Sequence, residues 1–432
     1  MREEQPEVMP SHEPARTKSL TFLARLSFLA CLAVSACATH RERPDAEIIA
    51  KLGPAGPLLP LYRALGGLES GPRTAPVTIL QIGDSHTAND SFAGRLREQF
   101  QSRFGDAGRG VLQPGVPFKY YRPDRVAAAS SRWIAERAGR ATGPVGIAAV
   151  RQHGGKGATM TLSAADPRDM TDVSLAFLFQ PGGGSVDIAT ASGPQLHVAT
   201  HAATPEARWV AIPQGSSSGG EITVAATGDG PVDMLSWTAA NGRPGVVVAN
   251  LGTIGATVDI IGRMDPALLR QELAHIAPSV ILLAFGTNEA FDNGTVAADY
   301  RERFTQSVRI LREAAPLAAI VVLGPPDSAK HTPKGFKGRT KCGDPRWDEP
   351  KPLSAIRDVQ QDVAASLQIF FWDWQAAMGG ACSMNRWAAE KPPMAASDHV
   401  HLLRPGYRAT AEALFQVLMD GYERYKTLRP SS

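Results

Sequence analysis

Cysteine is scarce, with only four in 432 residues, and a chain of this length does not depend on a disulfide framework in place of a core. Charge of one sign is lacking too: 45 Lys and Arg against 42 Asp and Glu leave a net +3, and the basic residues form no long run. A surface committed as a whole to nucleic acid is therefore excluded, and any anionic partner must be met locally. No internal repeat or long low-complexity tract is visible. Nor is there a long apolar run, since Leu20 to Ala36 is short, lies early and is broken by Arg25, where a membrane span needs about 20 residues. What remains is ordinary globular composition, 43% apolar and 20% charged, in a chain long enough for two to three domains.

The early apolar run follows Arg16 and Lys18 and ends in Val34-Ser35-Ala36-Cys37, which reads as an export signal over residues 1–36. Those last four residues resemble a bacterial lipobox, in which the cysteine is acylated and begins the mature chain. The resemblance implies lipidation at Cys37, a membrane anchor through that lipid, and a periplasmic place in the bacterial envelope. By the same resemblance, Ala38 rather than an Asp after the cysteine implies the outer membrane over the inner. With Cys31 lost and Cys37 lipidated, Cys342 and Cys382 remain. An even pair in an oxidising compartment suggests a disulfide, which on the chain-entropy argument would stabilise by about 4 kcal/mol; two unrelated buried thiols are the alternative.

Residues 37–75, rich in Pro, Gly and Ala, read as a tether. The apolar run Val77 to Ile82 then reads as a strand, and Phe92, Leu96 and Phe100 recur at helical spacing. Strand-like and helix-like segments alternate again from Val246 to Tyr425, with strands at Val246–Asn250, Val280–Phe285, Ala319–Leu323 and Ile369–Trp372. Continuous apolar strands between helices predict a doubly wound parallel sheet, an α/β fold built from residues 76–110 and 246–432. Residues 111–245 differ, with short β-like runs such as Val145–Val150, Val173–Phe179 and Ile222–Ala226 between glycine-rich turns. They predict an inserted β-sandwich domain.

In a doubly wound sheet the loops at the carboxyl ends of the strands build the site. The first strand ends in Gly83-Asp84-Ser85-His86, and the second leads to Gly252-Thr253-Ile254-Gly255. The third ends in Gly286-Thr287-Asn288-Glu289, and Asp398-His399-Val400-His401 precedes the last helix. These four segments resemble the marks of the SGNH subgroup of the GDSL esterase and lipase family, through Ser85, Gly255, Asn288 and His401. The resemblance covers the chain apart from tether and insert, and implies a flavodoxin-like α/β hydrolase fold. It is specific because four short motifs occur in order; Gly-Asp-Ser or Gly-Thr-Asn alone would be weak.

Each role has a chemical reason. A serine hydroxyl is a poor nucleophile, so Ser85 needs a base, and His401 is of the type whose ordinary pKa suits that task. Asp398, three residues earlier, would fix the imidazole tautomer and stabilise the imidazolium. The oxyanion would be held by the Ser85 and Gly255 amides and the Asn288 side chain. His86 is expected to shape the loop or line the cleft. His399, His401 and Asp398 are of metal-ligating type, but no further ligand cluster accompanies them, so neither metal nor cofactor is expected. Asp84-Ser85-His86 also resembles the Asp-x-His element of alginate O-acetyltransferases, although the complete Asp398/His401 pair favours a hydrolase. Glu289 departs from the Asp often found there in the family.

The insert, together with Met378-Gly379-Gly380, Trp387 and Pro405-Gly406-Tyr407 in the tail, is similar to peptidoglycan O-acetylesterases, whose insert resembles a carbohydrate-binding module. Trp133, Trp209 and Trp237 could stack on sugars or fill a core. The resemblance implies a serine esterase removing O-acetyl groups from an envelope glycan, peptidoglycan above all, through an acetyl-serine. The alternatives are a polysaccharide O-acetyltransferase and a catalytically silent glycan-binding lipoprotein. Lys334, Lys337 and Arg339, in the loop after Ala319–Leu323, are expected to lie on the active-site side and steer stem-peptide carboxylates toward Ser85, with a solvated loop as the alternative.

Overall fold

The computed structural model describes residues 45–191, 193, 195–213 and 220–428. Cys37 and the signal-like run lie outside the described residues. Within them, no helix is long and apolar enough to cross a membrane. The chain divides into two units, residues 1–53 and 54–432. The described part of the first is a helix over residues 45–52; the following concerns the second.

Five parallel strands form the central sheet: β1 (Val77–Gly83), β2 (Val246–Gly252), β3 (Val280–Ala284), β4 (Ala319–Leu323) and β5 (Phe370–Trp372), in the order β2-β1-β3-β4-β5. Their residues are buried almost throughout because helices cover both faces. Leu80, Ile82, Ile281, Leu283, Ile320 and Val322 share one core with α3 (Pro266–Ile276), α4 (Ala297–Ala314) and α5 (Leu353–Ser366). On the other face α2 (Ser91–Phe104) packs against α6 (Arg404–Leu428), with Phe100 edge-on to Phe415 at 4.9 Å.

The strand order reverses between β1 and β3, so their ends part there and leave a crevice, the usual ligand position in open α/β sheets. Gly83 is in register with Gly252 on one side and Ala284 on the other. A Cβ at Gly83 would stand 2.4 Å from the Ala284 carbonyl oxygen, so the strand ends approach this closely only with glycine in that place.

The stretch read as a tether is structured over Gly53–Glu69. A 3-10 turn (Gly53–Leu58) leads into α1 (Leu59–Glu69), and the buried Tyr62 lies 6.1 Å from Tyr422 and 6.0 Å from Tyr425 of α6. Its Pro and Gly content hid a helical spacing of Leu58, Leu61, Tyr62 and Leu65 that only α6 explains.

The insert is two antiparallel sheets. One runs in the order Glu206–Ala211, Asp172–Phe179, Val232–Ala240, Val150–Gly154, Ile134–Arg137, with Gly108–Leu112 also paired to Val232–Ala240. The other is ordered Val126–Ser131, Thr159–Ala164, Glu221–Ala226, Ser185–Thr190, Leu196–Ala199. Phe177, Ile188, Val224, Met234 and Trp237 close the sandwich core. The run from Val145 to Ala149 is not the expected strand. Its apolar residues belong to the hydrolase core, and Ile147 donates its N–H to the Glu272 carboxyl of α3 at 2.7 Å, so an extended apolar run here reflects burial and not a ladder.

Candidate active site

Ser85 opens a one-turn helix, Ser85–Ala88, directly after β1. Asp84 caps that turn, accepting the His86 N–H at 2.9 Å. Burial pushes the Asp84 carboxyl up to about 8, so it stays protonated at neutral pH and adds no negative charge under Ser85. Its role is to fix the turn.

Ser85 Oγ lies 2.9 Å from His401 Nε2, and His401 Nδ1 lies 2.7 Å from Asp398 Oδ2. Asp398 Oδ1 also accepts the N–H groups of Val400 and His401. Burial by itself would raise the Asp398 pKa, but these bonds, led by the His401 side chain, hold it below its ordinary 3.8. A residue 316 positions away is thereby set against Ser85, with its tautomer specified by a carboxylate.

Above the serine, Gly255 takes φ +70°, a left-handed conformation that favours glycine, and open space surrounds the position of a Cβ. Among the described residues, nothing accepts from the Ser85 or Gly255 backbone N–H. Asn288 Nδ2 donates one hydrogen to the Ala256 carbonyl at 2.8 Å, which leaves its second hydrogen free to point elsewhere. Glu289 ties the two loops together, accepting from Val258 N at 2.8 Å and Gly286 N at 3.1 Å. Burial raises its pKa to about 7. The extra methylene relative to Asp gives it the reach to link both segments.

His86 is buried, 3.0 Å from the Tyr407 hydroxyl through Nδ1 and 5.3 Å from the His401 ring. Burial lowers its pKa to about 3, so it remains neutral beside the imidazolium that His401 would form. The loop that follows β4 returns to the same segment: Ala329 N–H bonds the His399 carbonyl at 2.8 Å, and Trp347 stacks on the His399 ring at 3.9 Å. Cys342 and Cys382 are joined in a disulfide that closes this region.

Ser85 and His401 open into a cleft of about 700 Å3 that also meets Phe118, Tyr120 and Arg122 of the insert. Lys334, Lys337 and Arg339 do not line it; Arg339 instead borders a separate depression with Lys341 and Glu349. At the base of this loop Lys330–His331 pair antiparallel with Trp347–Asp348. The cleft cations are Arg95, Arg122, Arg125, Arg404 and Arg408. Of the insert tryptophans, Trp237 is core, donating to the Gln113 carbonyl at 3.0 Å. Trp209 stacks on His275 at 4.0 Å, and Trp133 packs against the sandwich core.

Sequence reasoning missed Asp90. Fully buried, it joins hydrolase and insert by bonding Arg97 (3.1 Å), Arg109 (2.9 Å), the Asp124 N–H (2.7 Å) and Asn250 (3.1 Å). Burial opposes its charge, yet Arg109 and Arg97 hold its pKa down to about 2. Its partners are scattered over 160 positions, so no local pattern could reveal it.

A parallel sheet ordered 2-1-3-4-5 with these loops at its switch point is the SGNH α/β hydrolase fold, here with an added antiparallel β domain. Residues 214–409 match the GDSL-like Lipase/Acylhydrolase family, and the chain is a carboxylic ester hydrolase. It is similar to a solved structure described as "Peptidoglycan O-acetylesterase in action, 5 min", with 29% identity and a TM-score of 0.69 over 84% of this chain and 96% of that one. A family two carbohydrate esterase from Cellvibrio japonicus is 14% identical, with a TM-score of 0.26 over 69% of this chain and 98% of its own. One from Clostridium thermocellum is 11% identical, with a TM-score of 0.29 over 73% and 100%. At those scores the two carry no argument. No curated protein matches the chain.

Proposed function

We propose that the protein removes O-acetyl groups from an envelope glycan, peptidoglycan being the substrate, through an acetyl-enzyme on Ser85. The observation that carries this reading is the unbroken row Ser85 Oγ, His401 and Asp398, at 2.9 and 2.7 Å, in a chain 29% identical to a peptidoglycan O-acetylesterase structure over 84% of its length.

His401 Nε2 takes the Ser85 proton as Oγ bonds to the acetyl carbon, and the carbonyl electrons move to oxygen. The Ser85 and Gly255 amides and the Asn288 side chain stabilise that oxyanion, each donor being worth about 3 kcal/mol in the transition state. The tetrahedral species collapses, the carbon–oxygen bond to the sugar breaks, and His401 returns the proton to the sugar alkoxide. Water, giving its proton to His401, then attacks the acetyl-serine; the acetyl carbon–Oγ bond breaks, His401 returns the proton to Ser85 Oγ, and acetate leaves. An export signal and a lipid on Cys37 would hold the enzyme in the periplasm beside this substrate.

The test is acetate release from O-acetylated peptidoglycan, and hydrolysis of 4-nitrophenyl acetate, by wild type and Ser85→Ala. Loss of both in the variant is expected. Equal rates in the two proteins would overturn the nucleophile, and ester hydrolysis without acetate release from the polymer would overturn the substrate.

A further inference from the structure

The cleft beside Ser85 has an unbalanced wall. Arg408 is held by Glu98 at 2.9 and 3.0 Å, and Arg95 by Glu412 at 2.8 Å. Arg125 is paired with Asp106 and Asp169, while Asp90 and Asp124 are engaged by Arg97. Arg122 and Arg404 are different. Both are exposed in the cleft, and neither has a carboxylate partner among the described residues; Arg122 donates only to the Tyr121 carbonyl, at 2.8 Å.

Beside them the insert presents Tyr120, 71% exposed, with Phe118, and the hydrolase presents Ile254, 39% exposed next to Gly255. Lys119 Nζ lies 5.3 Å from the centroid over one face of the Tyr120 ring, and the opposite face is suited to the apolar face of a sugar ring. Guanidinium groups without partners are suited to a carboxylate, which they can bind in a forked geometry. Both features line the same cleft as the nucleophile.

We propose that this wall is a recognition site for a carboxylate-bearing glycan, with Tyr120 stacking on a sugar ring and Arg122 and Arg404 binding the carboxylate. The proposal rests on the esterase reading above and specifies its substrate class. The insert thus completes the substrate site, and the hydrolase supplies the acetyl-transferring serine. In peptidoglycan the carboxylates are those of the stem peptide; in a uronic-acid polymer they are those of the sugar itself.

Binding to full-length Ser85→Ala protein, read by titration calorimetry, tests the site separately from turnover. The probes are soluble peptidoglycan fragments with free stem carboxylates, the same fragments amidated, neutral chitotetraose and oligogalacturonate. The free-carboxylate fragments should bind about five- to tenfold more tightly than the amidated ones at low salt, as two exposed ion pairs allow. Adding Arg122→Gln and Arg404→Gln should abolish that ratio, the double Lys variant should restore part of it, and Tyr120→Ala should weaken every sugar probe. Unchanged thermal unfolding of the variants controls for folding.

Equal affinity for charged and amidated fragments, or a ratio that survives the double Gln change, overturns the site. Oligogalacturonate binding more tightly than the fragments supports the carboxylate site and overturns peptidoglycan as its source. Discrimination by Ser85→Ala without acetate release by wild type would refute the reaction and leave the site standing.

Discussion

Replacing Asp398 by Asn tests the proposed triad while keeping side-chain shape. During attack His401 becomes positive, with the Asp398 carboxylate oxygen 2.7 Å from Nδ1. Two unit charges about 4 Å apart at an effective dielectric of about 20 attract by about 4 kcal/mol. The side chains are 41% and 49% exposed, and screening by water reduces this to about 2 kcal/mol, or about 30-fold in rate. An Asn amide can also donate to Nδ1 and favour the tautomer that carries its hydrogen on Nε2, which cannot accept the Ser85 proton; this adds about tenfold. The expected fall in kcat for 4-nitrophenyl acetate is therefore about 100- to 1,000-fold. Because the Asp398 carboxyl is held below 3.8, it is ionised throughout pH 5–9 and supplies this charge across that range. A loss under threefold would refute the reasoning.

Asp90→Asn leaves Arg97 and Arg109, each 1% exposed, short of their shared carboxylate, and should lower unfolding free energy by about 3–5 kcal/mol in urea titrations; a change under 1 kcal/mol would refute it. In the wild type, Asp90's contribution is complete above its unfolded pKa near 3.8 and disappears as pH falls through about 2. Burial pushes Glu272 and Glu289 up to about 7, so the native protein keeps protons that the unfolded chain releases near 4.5. Stability should consequently fall as pH rises from about 4.5 to about 7, by about 3 kcal/mol per group, and Glu272→Gln should remove one share of that slope. A slope unaltered in the variant would count against this account. Cys37→Ser should move the protein from the membrane to the soluble envelope fraction on ultracentrifugation, and recovery with membranes would count against lipidation.

The sequence by itself determined the alternation of apolar strands and helices, because continuous Val, Ile and Leu runs have no stable place except a sheet covered on both faces. It also determined the chemistry present at the strand ends, since Ser85, Gly255, Asn288 and the Asp398/His401 pair each sit in a short local motif. Tertiary structure alone decided which side chains share a cleft. Lys334, Lys337 and Arg339 form a conspicuous local cluster, yet they are not among the residues that line the cleft with Ser85. Tyr120 and Arg122 form no motif, yet the insert brings them beside Ser85. Charge balance is settled in the same way: Arg95 and Arg404 look alike as sequence, but Glu412 neutralises the first and no carboxylate among the described residues reaches the second. Local motifs are carried by hydrogen bonds over a few residues, whereas a cleft wall is set by distant segments whose contacts exist only once both domains have packed.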